Sequence, residues 1–124
     1  MSNYEDKIVT ILKKSQVRFV REKTFEDLRG GKYRYDFYIP STKTLIEVDG
    51  QFHFYPIRGE QELKSQKERD RRKNSYALAN KLKLYRIPFW DIDNDKIQST
   101  FDIFKKKYLV TSKWHNDKLI APKN

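Results

Sequence analysis

The stretch Tyr33-Arg34-Tyr35-Asp36-Phe37-Tyr38-Ile39-Pro40-Ser41-Thr42-Lys43-Thr44-Leu45-Ile46-Glu47-Val48-Asp49-Gly50 decides the fold. Tyr33, Tyr35, Phe37 and Ile39 alternate with Arg34, Asp36 and Tyr38, the period-two pattern of a strand. Pro40-Ser41-Thr42 supplies turn chemistry, and Thr44 to Asp49 reads as a second strand ended by Gly50. The two strands form a hairpin. With Ser41-Thr42 as a two-residue turn, the register sets Asp36 opposite Glu47, their side chains about 5 Å apart at Cβ. Asp49 lies two residues beyond Glu47 and therefore on the same sheet face.

Facing carboxylates destabilise a strand pair unless a cation lies between them. Hard divalent ions such as Mg²⁺ prefer such oxygen donors and keep several waters, one of which can attack a phosphodiester. The same acids would also suit a solvated strand face paired with Lys43 or Arg34. Leu45-Ile46 and Phe52-His53-Phe54-Tyr55 enclose them in bulky apolar residues, which argues against simple solvation.

Outward from the hairpin, Tyr4, Ile8, Ile11 and Leu12 recur at helical spacing, so residues 3–15 read as an amphipathic helix capped by Ser2 or Asn3. Val17 to Lys23 is strand-like, and Phe25 to Lys32, with Gly30-Gly31, is a loop. Glu60 to Lys81 lacks proline and glycine and predicts a long helix. Leu82 to Ile87 alternates as a strand stopped by Pro88, followed by a loop over Phe89 to Asp93. Ile97, Phe101, Phe104 and Tyr108 predict a last helix capped by Asn94. The expected class is α/β, a mixed sheet flanked by helices in the order α-β-β-β-α-β-α, with residues 1–109 as one domain and 110–124 as a basic, irregular tail.

The chain has 124 residues, enough for one modest core. Its net charge of +10 favours a polyanionic partner through phosphate neutralisation, with nucleic acid foremost. The absence of cysteine excludes disulfides, thiolate zinc sites and a cysteine nucleophile, so any metal is held by oxygens or by His53 and His115. No apolar run approaches the ~18 residues of a membrane span and no signal-peptide pattern opens the chain, so no membrane partner and a cytoplasmic setting are expected.

Tyr35-Asp36-Phe37-Tyr38-Ile39-Pro40 followed by Leu45-Ile46-Glu47-Val48-Asp49-Gly50-Gln51-Phe52-His53 resembles the core of the PD-(D/E)XK nuclease superfamily, with its restriction-endonuclease-like fold. More narrowly it is similar to the very-short-patch-repair endonuclease branch and its phage and mobile-element relatives. Glu68-Arg69-Asp70-Arg71-Arg72 and Leu84-Tyr85-Arg86-Ile87-Pro88 are similar to the helix and strand that follow there, and the likeness spans about residues 4–90. The resemblance implies Asp36 and Glu47 as metal ligands, with the Val48 carbonyl as a third and Glu5 reaching the metal or its water shell. It implies Mg²⁺, with Mn²⁺ as a substitute, and DNA as substrate. Asp49 stands where the superfamily has lysine, which puts the usual lysine-assisted water activation in question. His53 is then a general base or acid, or Lys73 reaches in from the long helix.

Asp70 and Lys73 are three apart and share one helix face, from which they can hydrogen-bond to His53 or the scissile phosphate. Gln51 shares the Glu47 face if the strand continues, a position for substrate contact. Ten basic residues against four acids lie between Arg58 and Arg86, and Arg69, Arg71 and Arg72 are the candidate phosphate contacts. Helical pairs such as Glu68–Arg72 account for part of that charge but not for the excess. Trp90 reads as core, whereas Trp114 is a candidate for stacking or partner contact. The expected activity is metal-dependent DNA endonuclease. The competing expectation is a catalytically silent nucleic-acid-binding module on the same fold. Nicking needs one copy, while double-strand cleavage suits a homodimer.

Overall fold

The computed structural model describes residues 3–114 of the chain. Ser2, His115 and most of the expected tail lie outside the described residues. Element order is α1 (Asn3–Lys14), β1 (Val20–Thr24), β2 (Arg34–Ile39), β3 (Thr44–Asp49), α2 (Glu60–Ala79), β4 (Lys83–Pro88), α3 (Phe89–Asp93) and α4 (Thr100–Ile103). The four strands lie side by side in chain order. β1, β2 and β3 pair antiparallel, and α2 carries the chain over to a parallel pairing of β4 with β3. The fold is thus mixed α and β, as expected. No helix of the described residues is long and apolar enough to cross a membrane.

Side-chain alternation gives the sheet two dressed faces. Phe37, Ile39, Ile46 and Ile87 form one core with Ile8, Ile11 and Leu12 of α1. On the other face Tyr35, Leu45 and Leu84 pack with Ala77 of α2. Strict alternation would put Tyr35 beside Phe37, on the α1 side. Instead β2 changes course at Asp36. Arg21 pairs with Phe37 and Lys23 with Tyr35, while the intervening Glu22 takes a left-handed φ of 53°. The Asp36 amide also turns away from the ladder, to the Glu47 carboxylate.

The hairpin register is the expected one, with Phe37 opposite Ile46 and Tyr38 opposite Leu45. The turn differs. Ile39 pairs with Thr44, and a 3-10 turn over Pro40–Thr42 plus a left-handed Lys43 (φ 50°) make a four-residue connection. Proline at its first position fits that turn, and the longer loop preserves the register because it removes one pair without shifting the others.

Helix α2 is the unusual element. The residues it buries are Asp70, Lys73 and Ala77, a stripe that is charged for half its length. Hydrophobic burial alone does not seat it, so its partners on the sheet must be charged as well. Beyond β4 three expectations give way. Pro88 ends the strand, pairing with Asp49, and starts the one-turn helix α3 where a loop was expected. The last helix shrinks to Thr100–Ile103, preceded by Ser99, and Asn94 instead closes α3. The chain also stays on the sheet past residue 109: Leu109 bridges Tyr85, and buried Val110 donates its amide to the Leu84 carbonyl at 2.8 Å. Trp114 packs on the core that holds Tyr35 and Leu84 rather than projecting outward.

Candidate active site

Where β2 turns at Asp36, the two central strands hold each other through their acids. The Asp36 amide donates to Glu47 Oε1 at 2.7 Å, and the Val48 amide donates to Asp36 Oδ2 at 2.7 Å. Side chains thus replace the backbone acceptors that the ladder loses. From α2, Lys73 Nζ donates to Glu47 Oε2 at 2.6 Å and to the Arg34 carbonyl at 2.5 Å, while its carbonyl accepts the Tyr35 hydroxyl at 2.8 Å. Burial, with the Glu47 charge beside it, pushes the Asp36 carboxyl up to about 8 against the pull of the Val48 amide and Lys73.

Asp36, Glu47, Val48 and Lys73 line one open cavity of about 400 Å³, together with Glu5, His53, Gln66 and Arg69. Glu5 comes from α1 and takes Arg21 at 3.3 Å. Its presence here is what the expected metal-shell role requires of its position.

A second charged group lies directly behind. Arg86, 1% exposed on β4, donates from Nη1 to both Asp49 oxygens at 2.9 and 3.1 Å, from Nη2 to the Asp70 carbonyl at 3.2 Å and from Nε to Asn74 Oδ1 at 2.7 Å. His53 Nδ1 is 2.8 Å from Asp70 Oδ2 and 3.5 Å from Asp49 Oδ1, and Gln66 Nε2 donates to Asp70 Oδ1 at 3.0 Å. Arg86, His53, Asp49 and Asp70 form a buried quartet, in which burial raises the Asp49 carboxyl above its usual range against the pull of Arg86 and His53. Burial alone would lower the His53 pKa, but the Asp49 and Asp70 charges outweigh it and raise the imidazole to about 9. The two acids thus favour the imidazolium form of His53. Arg86 and the His53 bond hold the Asp70 carboxyl below its usual range despite burial.

The expected residues thus divide. Asp36, Glu47, Val48, Glu5, His53, Lys73 and Arg69 share the acid cavity. Asp70 adjoins it through His53. Asp49 is on the expected face, but Arg86 occupies both its oxygens and it does not line the cavity. Gln51 leaves the strand for a 3-10 turn, donates to the Tyr4 hydroxyl at 3.1 Å and lines a neighbouring cavity. Arg71 and Arg72 both bind Glu68 on the outer side of α2, away from the acids.

Arg86 and Gln66 carry more of the site than sequence reasoning assigned them. For Arg86 a signal exists: it shares its strand face with Leu84, so alternation turns it inward. Gln66 falls one turn before Asp70 on the same helix, a spacing without meaning until Asp70 is known to be buried.

The Asp36 and Glu47 carboxylates line one polar cavity beside Val48, oxygen donors of the kind a hydrated hard cation takes. Among the described residues no three His, Asp or Glu side chains are gathered closely enough to hold a metal by themselves. Comparisons with family profiles, with curated proteins and with solved structures find no match for this chain.

Proposed function

We propose that the chain is a divalent-metal-dependent DNA endonuclease of the PD-(D/E)XK type, its four-stranded sheet corresponding to a restriction-endonuclease-like core. The observation that carries the reading is the bond of Lys73 Nζ to Glu47 Oε2 at 2.6 Å, beside Asp36. It supplies, from α2, the lysine that the strand lacks because Asp49 stands in its place. A net charge of +10 supports a phosphate backbone as the partner.

Asp36, Glu47 and the Val48 carbonyl would hold Mg²⁺ or Mn²⁺, with Glu5 at its water shell; the ion supplies Lewis acidity at the phosphate and lowers the pKa of water. Lys73 fixes the Glu47 carboxylate and places an ammonium at the cavity floor, where it offsets charge gathering on phosphorus oxygens. His53 donates a proton from Nε2 to the departing oxygen, and Asp70, braced by Arg86 and Gln66, holds the ring for that transfer. Arg69 meets a flanking phosphate. A single copy nicks; two copies on a twofold axis would cut both strands. Such an enzyme works in the cytoplasm.

The test is cleavage of supercoiled plasmid, linear duplex and branched DNA with Mg²⁺ or Mn²⁺, with and without EDTA, alongside Asp36→Ala and Lys73→Ala. Metal-dependent products lost in both variants support the proposal. Retained cleavage by folded Asp36→Ala overturns the site, and DNA binding without cleavage under every metal replaces the reading with a catalytically silent binding module.

A further inference from the structure

Beside the acid cavity lies a second one of about 320 Å³, and Glu5, Val48, His53, Gln66 and Arg69 line both. Its other walls are of a different chemistry: Tyr4, Gln51, Tyr55, Leu63 and Arg58. Phe52 and Glu62 also line it, so aromatic rings, an amide and an aliphatic side chain share the space with the Glu5 and Glu62 carboxylates. Aromatic rings among polar and charged side chains suit a planar heterocycle that carries hydrogen-bonding groups, and the volume is at the small end of the roughly 300–1,000 Å³ usual for one ligand. At the rim the Arg58 guanidinium lies 4.1 Å from the centre of the exposed Phe52 ring, and among the described residues no carboxylate pairs with it.

We propose that this cavity takes the base of an unpaired nucleotide whose sugar adjoins the phosphate that enters the acid cavity, with Arg58 on the next phosphate along that strand. The inference rests on the nuclease reading above and adds to it a substrate class, DNA carrying an extrahelical or single-stranded nucleotide. Three observations converge. The shared wall makes the pocket the immediate neighbour of the cavity that holds the acid pair. A base stacked in a continuous duplex stays in the helix and cannot enter a protein cavity, whereas an unstacked one can, and a base already unpaired enters at least cost. Tyr4 and Tyr55 line the cavity, and ring–base contact is tolerant of base identity, so selection would follow strand structure rather than sequence.

The experiment measures equilibrium binding without metal, in EDTA, of a continuous duplex and of the same duplex with one extra unpaired nucleotide. Wild type should bind the bulged duplex at least about tenfold more tightly, equal to about 1.4 kcal/mol. Leu63→Trp fills the second cavity from a position outside the acid cavity and should erase the preference, and Arg58→Ala should reduce it several-fold. Circular dichroism and a melting curve establish that each variant is folded. If Leu63→Trp does not fold, Arg58→Ala decides alone. Equal wild-type affinity for the two duplexes, or a preference that survives the folded variants, overturns the inference. The two readings fail separately: cleavage without preference removes the pocket and keeps the nuclease, while preference without cleavage in Mg²⁺ or Mn²⁺ does the reverse.

Discussion

Asp36 and Glu47 close the gap in their own sheet: the amide of one donates to the carboxylate of the other, and the amide next to Glu47 donates back to Asp36. The exchange fixes both acids side by side at the mouth of a polar cavity, where their charges repel with little water to screen them. The chain therefore holds electrostatic tension at this point of the hairpin, and its acid–base behaviour should report it.

The sign follows from proton linkage. Asp36 is raised to about 8 in the fold from an ordinary 3.8, so between these pH values the folded chain binds more protons than the unfolded one, and stability falls as pH rises. Asp36→Asn removes the titration while the side-chain oxygen still accepts the Val48 amide. We expect its melting temperature to exceed that of wild type at pH 8.5 and to change less between pH 5 and 8.5. A hard cation that binds the pair must displace the Asp36 proton, so Mg²⁺ should raise the wild-type melting temperature more at pH 8.5 than at pH 6 and leave Asp36→Asn nearly unmoved. Calorimetry at three pH values, with and without Mg²⁺, checks all of this. A magnesium effect equal at both pH values would be against it.

Lys73 is expected to matter twice. Replacing it with alanine leaves Glu47 Oε2 and the Arg34 carbonyl without their ammonium donor, and breaking a buried ion pair by removing one partner costs about 3–5 kcal/mol. Under the proposed function it should also lower cleavage by about 10²–10⁴-fold, the range for loss of a charge-stabilising group. Urea melts and plasmid cleavage at a temperature where the variant is folded separate the two effects. A stable Lys73→Ala protein would show that the bond to Glu47 contributes little.

Much of this arrangement was legible in the sequence because a strand repeats every two residues. The Asp36–Glu47 register follows from that period, and helix spacing puts Asp70 and Lys73 on one face; Lys73 is one of two alternatives that the resemblance offers, and His53 one of two partners that the spacing leaves open for Asp70. Asp49 was misleading for the same reason. Its face was correct, but face alone does not show that Arg86, 37 residues later and across a parallel crossover, takes both its oxygens. The region after Pro88 was harder. Ile97 and Tyr108 do lie in the core, yet Phe101 is 80% exposed, and Asp95 with a left-handed φ of 56° keeps a helix from starting at Asn94. Val110 seemed part of a tail because its role depends on an edge of β4 that no local pattern reveals.

His53 offers a second pH signature. Its pKa is raised to about 9 from 6.5, so its contribution to stability is complete below about pH 6.5 and lost as pH climbs through 9. NMR titration of the His53 ring should give a midpoint near 9 in wild type. Removing Asp70's carboxylate by Asp70→Asn should return it towards 6.5, even though Asp49 remains 3.5 Å away. A wild-type midpoint near 6.5 would mean that burial prevails over the two acids, and His53 would then be available as a base.

The arginines of α2 should not contribute equally to DNA binding. Arg69 lines both cavities and pairs with Glu62 at 3.2 Å; under the proposed function a strand that crosses the acids passes it. Arg71 has a side chain 72% exposed, binds Glu68 and touches neither cavity. Exposed pairs of that kind contribute little, so Arg71→Ala should alter affinity by less than about twofold. Arg69→Ala should weaken binding at all sequences and flatten the dependence of log K on log salt by about one phosphate contact, near 0.7 to 0.9 in slope. Fluorescence anisotropy from 50 to 200 mM salt measures both quantities. Equal losses for the two variants would move the DNA path from the cavities to the outer face of α2.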